Sequence, residues 1–425
     1  MSANSATGAL APFRHRSYRF QWMADLSTSW AFEMETIMLS WYILVETQSV
    51  FLLTLFASTQ YIGTLFSPVF GVMGHRLGNK RVYCAMRASY TLLAVVMLAL
   101  VLTGSLTPLY VFILATLQGL VRPSDLVLRY ALIGESMQGN QLMAATSVSR
   151  TTQDSARVIG ALAGAGIVAT LGMGMAYMSV ACLYAGSLML SFQVANVRYS
   201  VRHTAPVAGP GKCEPASVSV WRDLRDGARH VWHMPQLLAA MSLALLVNLT
   251  AFPLSNGLLP YVAKEIYHTD QTGLGYLSAA FSFGALMGSI FLSRFGHTLP
   301  PARMMAVFCG VWYCMALLFA HMPGLGSGIV ALLLTGCAQS LGMVPMSAML
   351  LRNADARFRG HVMGIRMLMI YSLPVGLVIS GPLITHYGFR AMGTLYCTIG
   401  IVATLWITLR WREHIWRMDA PANKR

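Results

Sequence analysis

Long apolar runs dominate this chain, and its polar residues gather in short clusters between them. A helix needs roughly twenty apolar residues to cross a bilayer. On that rule the pattern predicts twelve spans, near 20–45, 51–74, 82–103, 109–132, 142–170, 174–195, 236–261, 273–294, 304–321, 328–350, 363–385 and 391–410. The predicted class is therefore an all-α integral membrane protein. Connections such as "ETQS", "GSLTP" and "MPGLGSG" are short. One connection is long, at 196–235; it opens on "HTAPVAGPGKCEP" and continues as an amphipathic helix. In that helix Trp221, Leu224, Ala228 and Val231 recur at helical spacing, with Arg222, Arg225 and Arg229 on the other faces. It is expected to lie on the membrane surface and tether the halves.

The halves repeat. "VIGALAGAGIVATLG" ends the fifth span and "PVGLVISGPLITHYG" the eleventh, so Gly160 to Gly172 and Gly376 to Gly388 share one spacing at an offset of 216 residues. A duplication of this kind predicts two six-helix bundles around an axis along the membrane normal, with a cavity between them. The expected organisation is a first bundle at 1–195, a linker at 196–235, a second bundle at 236–410 and a tail at 411–425.

Composition agrees with the pattern: 56% of the 425 residues are hydrophobic and only 11% charged, too few to cover a soluble protein of this size. A polar and then basic leader, "FRHRSYRF", precedes the first span without a signal-peptide pattern, so that span is expected to persist. The net charge of +15 reports topology rather than a nucleic-acid partner. Of 30 Lys and Arg, 22 fall in one set of alternating loops and termini, only Lys264 and Arg390 in the other, and six lie in or at the ends of spans. Positive charge accumulates on the cytoplasmic side, which places both termini and the long linker there, against lipid head groups. The seven cysteines form no CxxC pair and read as small buried hydrophobes.

Between spans two and three, "GVMGHRLGNKR" resembles the signature loop of the major facilitator superfamily, G-x-x-x-D-R-x-G-x-[RK]-[RK]. Gly71, Arg76, Gly78, Lys80 and Arg81 match, while His75 stands where the pattern has an acid. "FRHRSYRF", "SWYILVETQSVF", "LMAATSVSRTTQDSARVIGALAG", "GLLPYVAKEIYHTDQTGLGYLSAAFSFGALMGS" and "ADARFRGHVMGI" look like the drug:proton antiporter branch that contains the enterobactin exporter and macrolide efflux pumps. There are departures. Gly160-Ala161 replaces the usual Gly-Pro of span five, which survives in span eleven as Gly381-Pro382, and Val127 takes the place of a span-four proline. The acid of the loop would hold the cytoplasmic side shut; His75 predicts a weaker or pH-sensitive latch, or one whose place another contact has taken.

Ionisable residues at bilayer depth are functional candidates because each is costly without a cavity or a partner. In span one Trp22, Asp25, Ser29, Glu33, Thr36 and Ser40 fall within one arc of roughly 80°, a polar stripe expected to face the cavity. Glu33, near mid-span, is the first candidate for a proton carrier. Asp25 is either a second site residue or an interfacial one, and Glu35 on another face serves transport or an interhelical hydrogen bond. In span five Arg150, Asp154 and Arg157 share a face, as an anion-attracting wall or a structural ladder. Span four carries Arg122 and Asp125 beside Pro123; Arg129 there is expected to snorkel to the cytoplasmic interface, and Arg366 is ambiguous. The second half offers only uncharged candidates, Asn248, Ser255, Asn256, Ser282, Gln339 and Tyr371, with Pro253, Pro345 and Pro374 as bending points.

The resemblance implies a proton-driven exporter in a bacterial inner membrane. Membrane arginines beside acids suit a small polar or anionic solute, with a siderophore-type metabolite first. A broad drug efflux pump and an importer on the same scaffold are the alternatives. The expected partners are solute, protons and lipid, the expected state a monomer, and no cofactor or metal is expected. No HExxH, GxSxG or paired Cys/His spacing suggests an enzyme.

Overall fold

In a computed structural model of the chain, residues 11–63, 77–137, 140–194, 234–295, 300–353, 366 and 368–413 are described. The linker helix, Gly71, His75 and Arg76 of the signature loop and most of the tail lie outside these residues. Regular structure in the described residues is helical, with no strand among them. The helices are α1 (Arg16–Thr47), α2 (Val50–Thr59), α3 (Asn79–Leu102), α4 (Pro108–Ser136) and α5 (Asn140–Phe192) in the first half. The second half holds α6 (Pro235–Leu246), α7 (Gln271–Phe295), α8 (Pro301–His321), α9 (Leu325–Asn353), α10 (Ser372–Tyr387) and α11 (Phe389–Arg410). Seven stretches of described helix are long and apolar enough to cross a membrane, and Val50–Thr59 and Pro108–Arg122 are shorter apolar ones. The protein is an integral membrane protein.

Local chemistry sets the element ends. Thr107 caps α4, its hydroxyl accepting from the Tyr110 amide, and Pro108 sits at the first helical position where no donor is needed. Beyond α6 the helix widens into π-helical turns at Val247–Ala251, Pro253–Gly257 and Val262–Ile266, so Pro253 does mark an irregularity. Pro345 lies inside α9. Pro374 instead falls in the first turn of α10, where its missing N–H interrupts nothing.

The duplication is written in the backbone. Gly172, which divides α5 into spans five and six, has φ 80 and ψ 172, and Gly388, between α10 and α11, has φ 83 and ψ 163. A shift of 216 carries Pro108–Ser136 onto 324–352, one residue from Leu325–Asn353. Contacts repeat as well. A Cβ at Gly160 would stand 2.7 Å from Glu33 Cβ and 3.2 Å from the Trp30 carbonyl, and one at Gly376 would meet the Leu249 carbonyl. Glu33 and Leu249 are again 216 apart. Lipid is as apolar as a leucine, so such close approach over small residues, rather than water exclusion, holds neighbouring helices together.

Among the described residues the halves meet through α2 and α10 and through α5 and α7. Gly381 of α10 packs on Phe51 and Thr54 of α2, and Ser58 Oγ donates to the Pro374 carbonyl at 3.3 Å. Gly275 of α7 packs on Ala161 and Ala165 of α5. These contacts lie towards the end that carries the short turns after Thr47 and Tyr267. At the opposite end of α5 the Arg150 side chain is mostly exposed.

Candidate functional site

Seven ionisable side chains of α1, α3 and α4 and three of α5 (Arg150, Asp154 and Arg157) resolve into three groups. The first is sealed. Arg87 Nη2 of α3 lies 2.6 Å from Asp25 Oδ1 and 3.0 Å from Asp125 Oδ1. Arg129 lies 3.4 Å from Asp25 Oδ2 and 3.0 Å from Asp125 Oδ2. All four side chains are buried, and the Tyr83 hydroxyl donates to Asp25 Oδ1 at 2.7 Å. Two cations against two anions leave no net charge, which is what makes such burial tolerable. The Arg129 guanidinium therefore turns inward to two acids instead of snorkelling, and the tetrad ties α1, α3 and α4 together inside the first half.

The second group joins α1 to α5 and is partly exposed. Arg157 stands 3.7 Å from Glu33 and 3.9 Å from Asp154, and Arg150 stands 3.3 Å from Asp154. Again two cations meet two anions. The expected anion-attracting wall is thus already neutralised, and Glu33 is committed to a cation that can only donate.

Glu35 differs. It is buried, and its carboxyl accepts from Gln118 Nε2 at 2.6 Å, Tyr177 OH at 2.9 Å and Tyr184 OH at 3.0 Å. Tyr177 and Tyr184 are one face of span six, seven residues apart. Every partner in this shell can reverse: a hydroxyl donates or accepts, and an amide presents either its NH2 or its oxygen. Glu35 can take a proton without breaking an ion pair. Among the described acids of the spans, it has no cation within 4 Å, whereas Asp25, Glu33, Asp125 and Asp154 each do.

Beside it lies Arg122, the one arginine of α4 that meets no carboxylate within 4 Å among the described residues. Its Nη1 donates to Gln60 Oε1 at 3.0 Å, and its guanidinium carbon sits 3.2 Å over the Phe32 ring. Phe32, Glu35, Thr36, Gln60, Gln118 and Arg122 line one cavity of about 10 Å³, room for about a single water.

The polar stripe of α1 is therefore divided among neighbours. Trp22 Nε1 donates to Thr152 Oγ1 at 2.8 Å, Asp25 turns to α3 and α4, Glu33 to α5, and Thr36 to the small cavity. In the second half Asn248 Nδ2 donates to the Ala244 carbonyl at 2.7 Å, and Ser255 likewise to Ala251, so both serve their own helix. Gln339 is half-buried on α9, and Asn256 is exposed. Of the signature loop, Gly78 has φ 92 and precedes α3, Lys80 Nζ donates to the Phe192 carbonyl at 3.0 Å, and Arg81 is exposed. Arg87, Tyr83, Gln118, Tyr177 and Tyr184 were missed as site residues. Arg87 could have been found from its depth within α3, and the two tyrosines from their helical spacing.

The second bundle serves as an internal control. At the 216-residue offset, Glu35, Gln118, Arg122, Tyr177 and Tyr184 correspond to Ala251, Leu334, Ala338, Gly393 and Gly400. The same helical scaffold is thus built without acid, amide, arginine or tyrosines at these places. The fold does not require the Glu35 group.

Two halves of related helices, with the buried charged side chains of the described residues all in the first, are the setting of a membrane transporter. The profile of the Major Facilitator Superfamily matches residues 22–256 and again 241–424, and the chain belongs to that superfamily. Solved structures share its fold. A POT family transporter, PepTSo, superposes with a TM-score of 0.72 at 11% identity over 95% of this chain and 99% of that one. A variant of the nucleoside transporter NupG gives 0.70 at 15% identity over 93% and 99%. The human organic anion transporter MFSD10 gives 0.62 at 13% identity over 92% and 99%. No curated protein matches.

Proposed function

We propose that the chain is a proton-coupled secondary transporter that exports a small polar or anionic organic molecule, of siderophore type, across a bacterial inner membrane. In this reading it has twelve spans with both termini cytoplasmic and acts as a monomer. The observation that carries the reading is the reversible shell of Glu35. A coupling site must exist charged and neutral in turn, and this buried carboxyl can change state without orphaning a partner. The resemblance to the drug:proton antiporter branch supports export. A pump for lipophilic cations fits less well, because the cation already in the site has no anion of its own.

The test uses everted membrane vesicles carrying the full chain and a pH-sensitive dye, challenged with catecholates, hydroxamates and carboxylates. A solute that dissipates the proton gradient only when the chain is present is expected, and Glu35→Gln is expected to abolish the response with the protein still in the membrane. Equal dissipation by Glu35→Gln removes Glu35 as the proton site. Import is a second reading, favoured by the cavity that Arg122 and Glu35 share. An anion at Arg122 and a proton at Glu35 would each offset the other's charge and load together.

A further inference from the structure

Ion pairing in the first half leaves two of the charged groups above, the cation Arg122 and the anion Glu35, with no opposite charge within 4 Å among the described residues. Arg87 and Arg129 are matched by Asp25 and Asp125, and Arg150 and Arg157 by Asp154 and Glu33. Arg122 alone among these arginines is held by neutral groups: the Gln60 amide at 3.0 Å and the face of Phe32 at 3.2 Å. Glu35 lines the same cavity, but its lone pairs are taken by Gln118, Tyr177 and Tyr184.

We propose that Arg122 is the anchor for the solute's anionic group, a planar oxyanion such as a carboxylate or a deprotonated catechol. The proposal rests on the transport reading above but assigns a different residue a different task. A guanidinium is a rigid fork whose in-plane N–H groups match two oxygens of one planar anion. Here the π-face is already covered by Phe32, which fixes the plane, and Gln60 fixes the rotation about it. The remaining N–H groups make no hydrogen bond among the described residues, and Arg122 lines the cavity. Holding such a cation at membrane depth is costly, and a preorganised fork is the arrangement in which an arriving anion recovers that cost. A neutral structural role would not need the charge, since Ala338 fills the corresponding place in the second bundle. The cavity, at about 10 Å³, admits a water and no more in this conformation. Loading therefore requires it to widen, with the solute's oxygens taking the place of Gln60.

The experiment uses the full chain in nanodiscs and a panel of aryl and alkyl carboxylates and catechols, each acid beside its amide. Binding is read by thermal shift and equilibrium titration. At least one acid is expected to bind tenfold or more tightly than its amide in the parent protein. Arg122→Gln is expected to erase that preference, Arg122→Lys to keep part of it by charge without the fork, and Phe32→Leu to weaken it. If Arg122→Gln does not fold, the Lys and Leu variants decide. An acid preference that survives in all folded variants, or no acid preference in the parent protein, overturns the proposal. The dye assay on Glu35→Gln is read separately: its failure strikes the proton site and leaves the anion anchor standing, and the reverse holds for Arg122.

Discussion

Arg157 Nε stands 3.7 Å from Glu33 Oε1, across the boundary between spans five and one. That pairing moves the proton role away from the acid that lies nearest mid-span. If Glu33 gave up its charge, Arg157 would keep only Asp154, at 3.9 Å, and Asp154 already serves Arg150. The pair is half-exposed, so removing it costs little stability, about 0–1 kcal/mol. Glu33→Gln is therefore expected to change the melting temperature slightly and to lower solute flux several-fold through the altered cavity wall. The ratio of protons to solute should stay unchanged. Flux and dye response measured in parallel on the same vesicles decide the matter. Lost coupling with retained solute flux would return the proton to Glu33.

The buried tetrad makes a different prediction because its four charges balance one another. Asp25→Asn would leave Arg87 and Arg129 facing one aspartate in a sealed site. Breaking one member out of a buried charge group typically costs about 3–5 kcal/mol. Asp25→Asn is expected to lower thermal stability sharply. Adding Arg87→Gln should recover part of the loss, since Asp125 and Arg129 remain as a neutral pair at 3.0 Å. Melting curves of the two single variants and the double variant form a cycle. Simple additivity would show that the four charges do not act as a unit.

How much of this was legible in the residues varies with how local the signal is. Twelve spans and the Gly160 and Gly376 repeat were expected from hydrophobic run length and spacing; seven stretches of the described helices are long and apolar enough to cross a membrane, and the repeat recurs in the backbone at Gly172 and Gly388. The candidates of spans one, four and five were also visible, because a charge inside an apolar run stands out. Their partners were not. Asp25 and Glu33 share an arc of α1, yet one meets α3 and α4 and the other α5, and no single-helix projection tells which neighbour covers which part of a stripe. The shell around Glu35 was hidden for the same reason. Its partners lie on α4 and on span six, 83 to 149 residues away, and tyrosines in an apolar span read as ordinary packing. The reading of Arg129 failed because depth along a helix was taken for exposure, when two acids from two helices enclose it.

Gly172 and Gly388 carry the last prediction. Both hold φ near +80 with ψ at 172 and 163, a region that side chains with a Cβ avoid at a cost of about 1–3 kcal/mol. No heavy atom lies within 4 Å of a Cβ built on either glycine, so the cost is one of backbone conformation rather than of crowding. Gly172→Ala and Gly388→Ala are accordingly expected to destabilise by similar amounts and to add in the double variant. Gly166 is the control. It also has open space around a Cβ but sits inside the helical part of α5, so Gly166→Ala should be neutral or stabilising by about 0.5–1 kcal/mol. Unequal effects at 172 and 388 would show that the two bends, although alike in backbone, carry different strain. An effect at 172 no larger than that at 166 would show that the bend between spans five and six does not depend on glycine at all.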